Sequence, residues 1–123
     1  MSLAARSTLG PVGFVRPNPT AVPFAWANID GQNDTPLLRD SENVSSLTDN
    51  GTADYTIVFA LPATDVSYAT IGGASRTPAT NDGVLTVSDA GGQTAASVRV
   101  ITCNTDAIAT EVAFVHVVCI GVA

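Results

Sequence analysis

The stretch ENVSSLTDNGTADYTIVFAL spans residues 42–61 and decides the fold class. It contains two runs of strand-forming residues, 42–48 and 52–61, on either side of Asp49-Asn50-Gly51. An Asn-Gly pair tolerates the positive φ angles of a type I′ turn, so these residues predict a β-hairpin. In the second run every second residue is apolar, which is the period of a strand with one buried face: Tyr55, Ile57, Phe59 and Leu61.

The register of this hairpin stays open at the level of the sequence. A two-residue turn sets Val44 opposite Ile57, whereas a slip by one residue sets Leu47 opposite Tyr55. Outward from the hairpin, short apolar segments are separated by turn residues every 8 to 15 positions, as in sandwiches and barrels. We therefore predict an all-β fold, a jelly-roll-like antiparallel β-sandwich of about eight strands, at residues 25–29, 37–39, 42–48, 52–61, 66–71, 84–88, 96–103 and 111–122.

The composition agrees with one folded domain and excludes several partners. Of the 123 residues, 46% are hydrophobic and 13% are charged, which argues against disorder. The net charge is −6, and every cation is an arginine. Nucleic acids and anionic membrane surfaces are bound by clustered cations, so we expect neither as a partner.

Residues 1–23 differ from the rest, and we predict an extended arm there, followed by a sandwich domain over residues 24–123. Four of the seven prolines lie in the arm, and proline excludes helices and central strands. The arm also carries apolar side chains and a cation that suit attachment to another surface. The alternative is that the arm packs along its own domain. The candidate attachment residues are Leu9, Val12, Phe14, Val15 and Arg16.

The C-terminal segment predicts a strand that is apolar on both faces. Ala113, Val115, Val117 and Cys119 alternate on one face. A strand of this kind is buried on both sides, so the second face needs a cover. That cover is either a neighbouring subunit or the arm folded over it. The candidate interface residues on this second face are Val112, Phe114, His116, Val118 and Ile120.

Catalytic and metal-binding patterns are not found in the sequence. His116 is the only histidine, and it stands among valines without a neighbouring Asp or Ser. The sequence contains no nucleophile-elbow, phosphate-loop or zinc-protease motif. We expect Cys103 and Cys119 to be buried thiols, with a disulfide between neighbouring strands as the alternative. We therefore predict a protein without enzymatic activity, cofactor or metal.

Three short motifs resemble the C-terminal modules of bacteriophage tail fibres and related virion proteins. They are Asn43-Val44-Ser45-Ser46, Asp49-Asn50-Gly51-Thr52 and Asp54-Tyr55-Thr56, within a resemblance that covers about residues 24–123. The resemblance implies a structural protein of a phage virion, displayed as a homotrimer on a fibre, a spike or the capsid surface. It also implies contact with a glycan on the host surface. Members of this family usually end a long fibre, whereas here only a short arm precedes the module.

The resulting expectation is a non-enzymatic virion subunit that forms homo-oligomers and joins other virion proteins through its arm. The alternative from another functional class is a lectin-like domain that binds carbohydrate by itself. A small depolymerase that degrades glycans is the third hypothesis, and no residue pair selects it.

Overall fold

The computed structural model describes residues 21–32, 35–75, 83–89 and 91–122. These residues form eight antiparallel strands in two four-stranded sheets and no helix, which confirms the predicted all-β sandwich. The strands are β1 (Val22–Asp30), β2 (Leu37–Glu42), β3 (Val44–Gly51), β4 (Asp54–Phe59), β5 (Ala69–Ser75), β6 (Val84–Val87), β7 (Ser97–Cys103) and β8 (Phe114–Gly121). The front sheet has the order β2-β1-β8-β5, and the back sheet has the order β3-β4-β7-β6.

The core lies between the two sheets and is formed by alternate residues of their central strands. Val98 and Val100 of β7 are completely buried, as are Ile29 of β1 and Val115 of β8. Burying one such side chain contributes about 1.5–3 kcal/mol. Three aromatic rings close one end of the core, with ring centroids 5.3 to 5.8 Å apart in edge-to-face geometry: Phe24, Phe59 and Tyr68. The period-2 pattern therefore marks the core correctly in the central strands.

The first strand begins earlier than the sequence indicates, because Val22 and Pro23 belong to β1 and not to the arm. Proline in a sheet needs a position where no N–H is required. Two features of β1 meet that need. Its pairing with β8 shifts register between Pro23 and Ala25, and β2 pairs with β1 only from Trp26 onward.

A single residue, Asn43, carries the chain from the front sheet to the back sheet. It has a positive φ of 57° and stands between the last residue of β2 and the first residue of β3. Asn tolerates this left-handed conformation better than most residues. Its side chain also accepts a hydrogen bond from the Leu61 N–H at 2.8 Å and donates one to the Leu61 carbonyl at 3.1 Å. The corner is therefore tied to the segment that follows β4.

The hairpin of β3 and β4 has a different turn from the predicted one. Gly51 pairs with Asp54, so Thr52 and Ala53 form the two-residue turn instead of Asn50 and Gly51. Gly51 does have the expected positive φ, 130°, but it lies beside a bulge between Asp49 and Gly51. Both predicted registers are wrong, since the observed pairs are Val44–Phe59 and Leu47–Ile57.

Polar side chains explain why the turn moves along the chain. The Asp49 carboxylate accepts the Gly51 N–H at 3.0 Å, as Asp does in a local turn of its own. The Asn50 amide donates to the Thr56 hydroxyl at 2.7 Å and to the Asp54 carboxylate at 3.3 Å. These bonds keep Asn50 on the strand and shift the reversal to the next two residues.

The strand predicted at 66–71 lies later, at Ala69–Ser75, and runs through Gly72 and Gly73 instead of ending there. Gly72 pairs with Val117, and a Cβ at Gly72 would lie 1.9 Å from the carbonyl oxygen of His116. The glycine thus allows a close approach of two backbones and does not mark a turn. Residues 76–82, between β5 and β6, lie outside the described residues.

Candidate functional site

The two sheets expose different chemistry on their solvent-facing sides. In the described part of the chain, aromatic rings point outward only from the front sheet, at Trp26 on β1 and Phe114 on β8. The same side carries the exposed aliphatic side chain of Ile71, with 53% of its surface accessible. We call this side the outer front face, and it comprises Trp26, Asn28, Ile71, Phe114, His116, Val118 and Ile120.

Strand pairing arranges the outer front face in rows across the sheet. One row runs from Trp26 through Val118 to Ile71 and is wholly apolar. The next row places His116 between Asn28 and Gly73. Because a Cβ at Gly73 would meet no atom within 4 Å, the surface is open beside the His116 ring. The face is therefore an apolar surface with a polar row beside it, formed by Asn28 and His116.

Arg39 of β2 fixes one end of this surface. Its guanidinium carbon lies 4.4 Å from the centre of the Phe114 ring, in a cation–π contact. The same guanidinium pairs with the Asp30 carboxylate at 3.2 Å and donates to the Ile29 carbonyl at 3.0 Å. The Phe114 ring in turn lies parallel to the His116 ring, with centroids 6.3 Å apart. These contacts orient the Phe114 and His116 rings on the surface.

A second contact orients Trp26. Its indole N–H donates to the Glu42 carboxylate at 3.1 Å, across the pair of β1 and β2. The indole therefore has its polar atom satisfied at the edge of the sheet, next to the apolar row. Rigid aromatic side chains with a satisfied polar atom are enriched at protein interfaces.

The solvent-facing side of the back sheet shows no outward aromatic ring among the described residues and mixes polar side chains with the aliphatic Val58, Val84 and Ile101. Arg99 of β7 binds Asp54 of β4 through two hydrogen bonds, at 2.9 and 2.7 Å. The Arg99 guanidinium holds the pKa of the Asp54 carboxyl below its ordinary value of 3.8, against a smaller opposing effect of burial. Thr48, Thr56 and Arg99 form one cross-strand row there. Hydroxyl groups and a paired charge are the usual surface of a sheet that faces water.

The predicted interface residues fall into two groups. Phe114, His116, Val118 and Ile120 lie together on the outer front face, as the alternation predicts. Val112 does not join them, because it is completely buried in the core. The reason is that β8 begins only at Phe114, so the alternation does not extend back to residue 112.

The sequence reasoning missed three residues of the face, Trp26, Asn28 and Ile71, and also Arg39, which lies at one end of it. The alternation of β1 carried a signal for the first, since Ala25, Ala27 and Ile29 point inward and Trp26 must then point outward. Arg39 and Ile71 had no such signal. Their positions follow from the pairing of β2 with β1 and of β5 with β8, and the sequence does not specify these pairings.

The remaining predicted residues are less informative for function. The arm residues Leu9, Val12, Phe14, Val15 and Arg16 lie outside the described residues. Cys103 and Cys119 are free thiols on strands of different sheets. Cys119 is buried, and this burial raises the pKa of its thiol, whereas Cys103 is only partly buried.

Within the described ranges, no group of His, Cys, Asp and Glu side chains is arranged to hold a metal ion. The same ranges contain no helix long and apolar enough to cross a membrane.

Comparison of the chain with protein-family models, curated proteins and solved structures finds no match. The outer front face and the sequence resemblance to virion modules are therefore the two features that bear on function.

Proposed function

We propose that this chain is a non-enzymatic structural subunit of a bacteriophage virion, assembled into homotrimers through the outer front face. The resemblance of Asn43-Val44-Ser45-Ser46 and of the two motifs after it supports the virion role. The contrast between the two solvent-facing sides supports the use of this face. An apolar surface with aromatic side chains is costly to expose to water, and its burial against another subunit removes that cost.

The observation that carries the proposal is the row Trp26–Val118–Ile71, continued by Ile120 and Phe114. The charged groups Arg39, Asp30 and Glu42 lie around this row, which is the usual order of an apolar centre and a polar rim. The trimer follows the resemblance, and in a cyclic trimer the contacts are heterologous, so two different parts of the face meet at each interface. The arm then joins the oligomer to its neighbours in the particle, and the host surface is contacted by parts that remain exposed.

A lectin-like domain is the second candidate, because the same face offers the rings of Trp26 and Phe114 beside polar groups of Asn28 and Glu42. A sugar ring stacks on an exposed aromatic face and hydrogen-bonds to nearby amides and carboxylates. In this case the face has to stay open in the native protein. The two functions therefore make opposite predictions for the accessibility of Trp26.

Mass spectrometry of density-purified phage particles tests the virion role, with a glycan array on the purified chain as the companion measurement. We expect the chain to co-purify with particles in a fixed ratio to the capsid protein. We also expect quenching of Trp26 fluorescence by iodide to be weak, because the subunit interface covers the indole. Absence from particles, together with strong quenching and glycan-specific binding, would support the lectin and contradict the virion subunit.

A further inference from the structure

A groove of about 440 Å³ lies at the corner where the chain enters the front sheet. Much of its wall is apolar, and its charged group is the carboxylate of Glu42. Besides the corner residue Asn43, it is lined by Val22, Pro23, Phe24, Glu42, Leu61 and Pro62.

The backbone on one side of the groove is held in place by hydrogen bonds. Leu61 has 72% of its surface exposed, yet its backbone is fixed on both sides. Its N–H and its carbonyl both bond to the Asn43 side chain, and the Ala60 N–H donates to the Asn43 carbonyl at 3.0 Å. The prediction that Leu61 shares the buried face of Tyr55 and Ile57 is therefore wrong, because β4 ends at Phe59. A large aliphatic side chain is therefore exposed to solvent on a backbone that is held by hydrogen bonds.

One edge of the front sheet is open beside this groove. β2 pairs with β1 from Trp26 to Asp30, so on that side no described strand pairs with residues 22–25. On the other side, Val22 and Pro23 pair with β8. An unpaired strand edge is a template for an extended segment of another chain, and apolar pockets next to it take alternate side chains.

The arm has the chemistry that fits such a site. Leu9, Val12, Phe14 and Val15 provide apolar side chains, and Arg16 provides a cation for the Glu42 carboxylate. To occupy the groove of its own chain, the segment would have to reverse direction within residues 17–21, because Val22 itself lines the groove. Pro17 and Pro19 lie in this short stretch, and proline disfavours the helical conformation in the residue before it.

We propose that the groove receives residues 9–16 of a second copy of this chain, which adds to the open edge of β1. This proposal rests on the proposed function, and it identifies a second copy of the chain as the neighbour to which the arm attaches. Exchange of arms links copies through backbone hydrogen bonds as well as apolar contacts. Proline restricts the conformations of an unbound chain, so Pro11 and Pro17 should reduce the entropy that is lost on docking.

Photo-crosslinking of the full-length chain tests this proposal. Leu61 is replaced by p-benzoylphenylalanine, which its exposure allows, and the ¹⁵N-labelled variant is mixed with unlabelled wild-type chains before assembly. We expect mass spectrometry to find position 61 of a labelled chain joined to residues 9–16 of an unlabelled one. The matched control carries the photoreactive residue at Val66, which is 54% exposed and does not line the groove, and we expect no crosslink to the arm there.

A second variant tests the apolar contacts. Phe14→Asp in the unlabelled chains should abolish the crosslink from position 61 to those chains, because the new carboxylate would be buried against an apolar wall and beside the like charge of Glu42. Crosslinks only within one chain, crosslinks to other regions, or no crosslink would overturn the proposal. The proposed function is judged separately by sedimentation: an oligomer without the arm crosslink contradicts the exchange alone, whereas a monomer contradicts the oligomeric subunit.

Discussion

Gly72 and Gly73 are neighbours on the same edge strand, and the structure predicts opposite effects for the same substitution. A Cβ at Gly72 would lie 1.9 Å from the His116 carbonyl oxygen, whereas ordinary contact begins at 3.4 Å. The β5 and β8 backbones would have to separate locally by roughly 1.5 Å, which breaks hydrogen bonds whose usual length is about 2.9 Å. At Gly73 a Cβ would meet nothing within 4 Å.

The magnitudes follow from these two geometries. In Gly72→Ala, losing about two to three backbone hydrogen bonds and leaving their groups unpaired lowers the free energy of unfolding by about 2–4 kcal/mol. In Gly73→Ala, a strand position without positive φ gains about 0.5–1 kcal/mol, because alanine loses less backbone entropy than glycine. The free energy of unfolding of a domain of this kind is about 5–15 kcal/mol, so the loss expected for Gly72→Ala is a large fraction of the total.

Urea unfolding followed by far-ultraviolet circular dichroism measures both effects. Each variant is run at two protein concentrations, because association adds to the apparent stability of an oligomer. Equal free energies for the two variants, or a Gly72→Ala protein as stable as the wild type, would refute the close approach of β5 to β8.

Two further predictions concern ionisable groups. The pKa of Asp54 is lowered by Arg99, so the ion pair stabilises the fold above pH 3.8 and is lost as the pH falls through the lowered value. Asp54→Asn should therefore lower the free energy of unfolding by about 1 kcal/mol at neutral pH, and the difference should vanish in acid unfolding series. An unchanged difference at low pH would contradict this. Burial raises the pKa of Tyr55 and of Tyr68 to about 12, so stability present below pH 10 should be lost between pH 10 and 12. Ionisation of both rings near pH 10 in a still-folded protein, seen by ultraviolet absorbance, would show that they are not buried.

Much of the fold could be predicted from the sequence because the central strands alternate strictly. Tyr55, Ile57 and Phe59 are buried as the period predicts, and so are Val115 and Val117. In these strands each side chain faces either the core or the solvent, so the residue type indicates which way the side chain points. The alternation fails at the strand ends. Val112 is buried in the core although the pattern places it on the outer face, and Leu61 is exposed although the pattern places it in the core.

The turns were harder to predict because local polar bonds compete with turn propensity. Asn50-Gly51 favours a tight turn, but the Asn50 amide gains two hydrogen bonds on the strand, and the reversal moves to Thr52 and Ala53. Gly72 and Gly73 look like a strand end in the sequence. Only the position of β8 shows that the first of them is required for backbone contact.

The candidate site could be predicted only for the strand that contributes the most residues to it. The outward residues of β8 were visible in the alternation of residues 114–120. The rest of the face comes from strands that are distant in sequence, since β8 lies between β1 and β5. Pairings between distant segments depend on the whole packing of the sandwich, and no local pattern encodes them.

The most direct test of the central claim compares two aspartate variants by sedimentation velocity with the wild-type chain. Ile71→Asp places a charge on the outer front face, and Val84→Asp places one on the solvent-facing side of the back sheet. Both positions are exposed aliphatic residues on edge strands. We predict a wild-type homotrimer at micromolar concentration, a folded monomer for Ile71→Asp because an unpaired charge in an interface costs several kcal/mol, and an unchanged trimer for Val84→Asp. A monomeric wild type, or a trimer that only Val84→Asp dissociates, would contradict the claim that the outer front face joins the subunits.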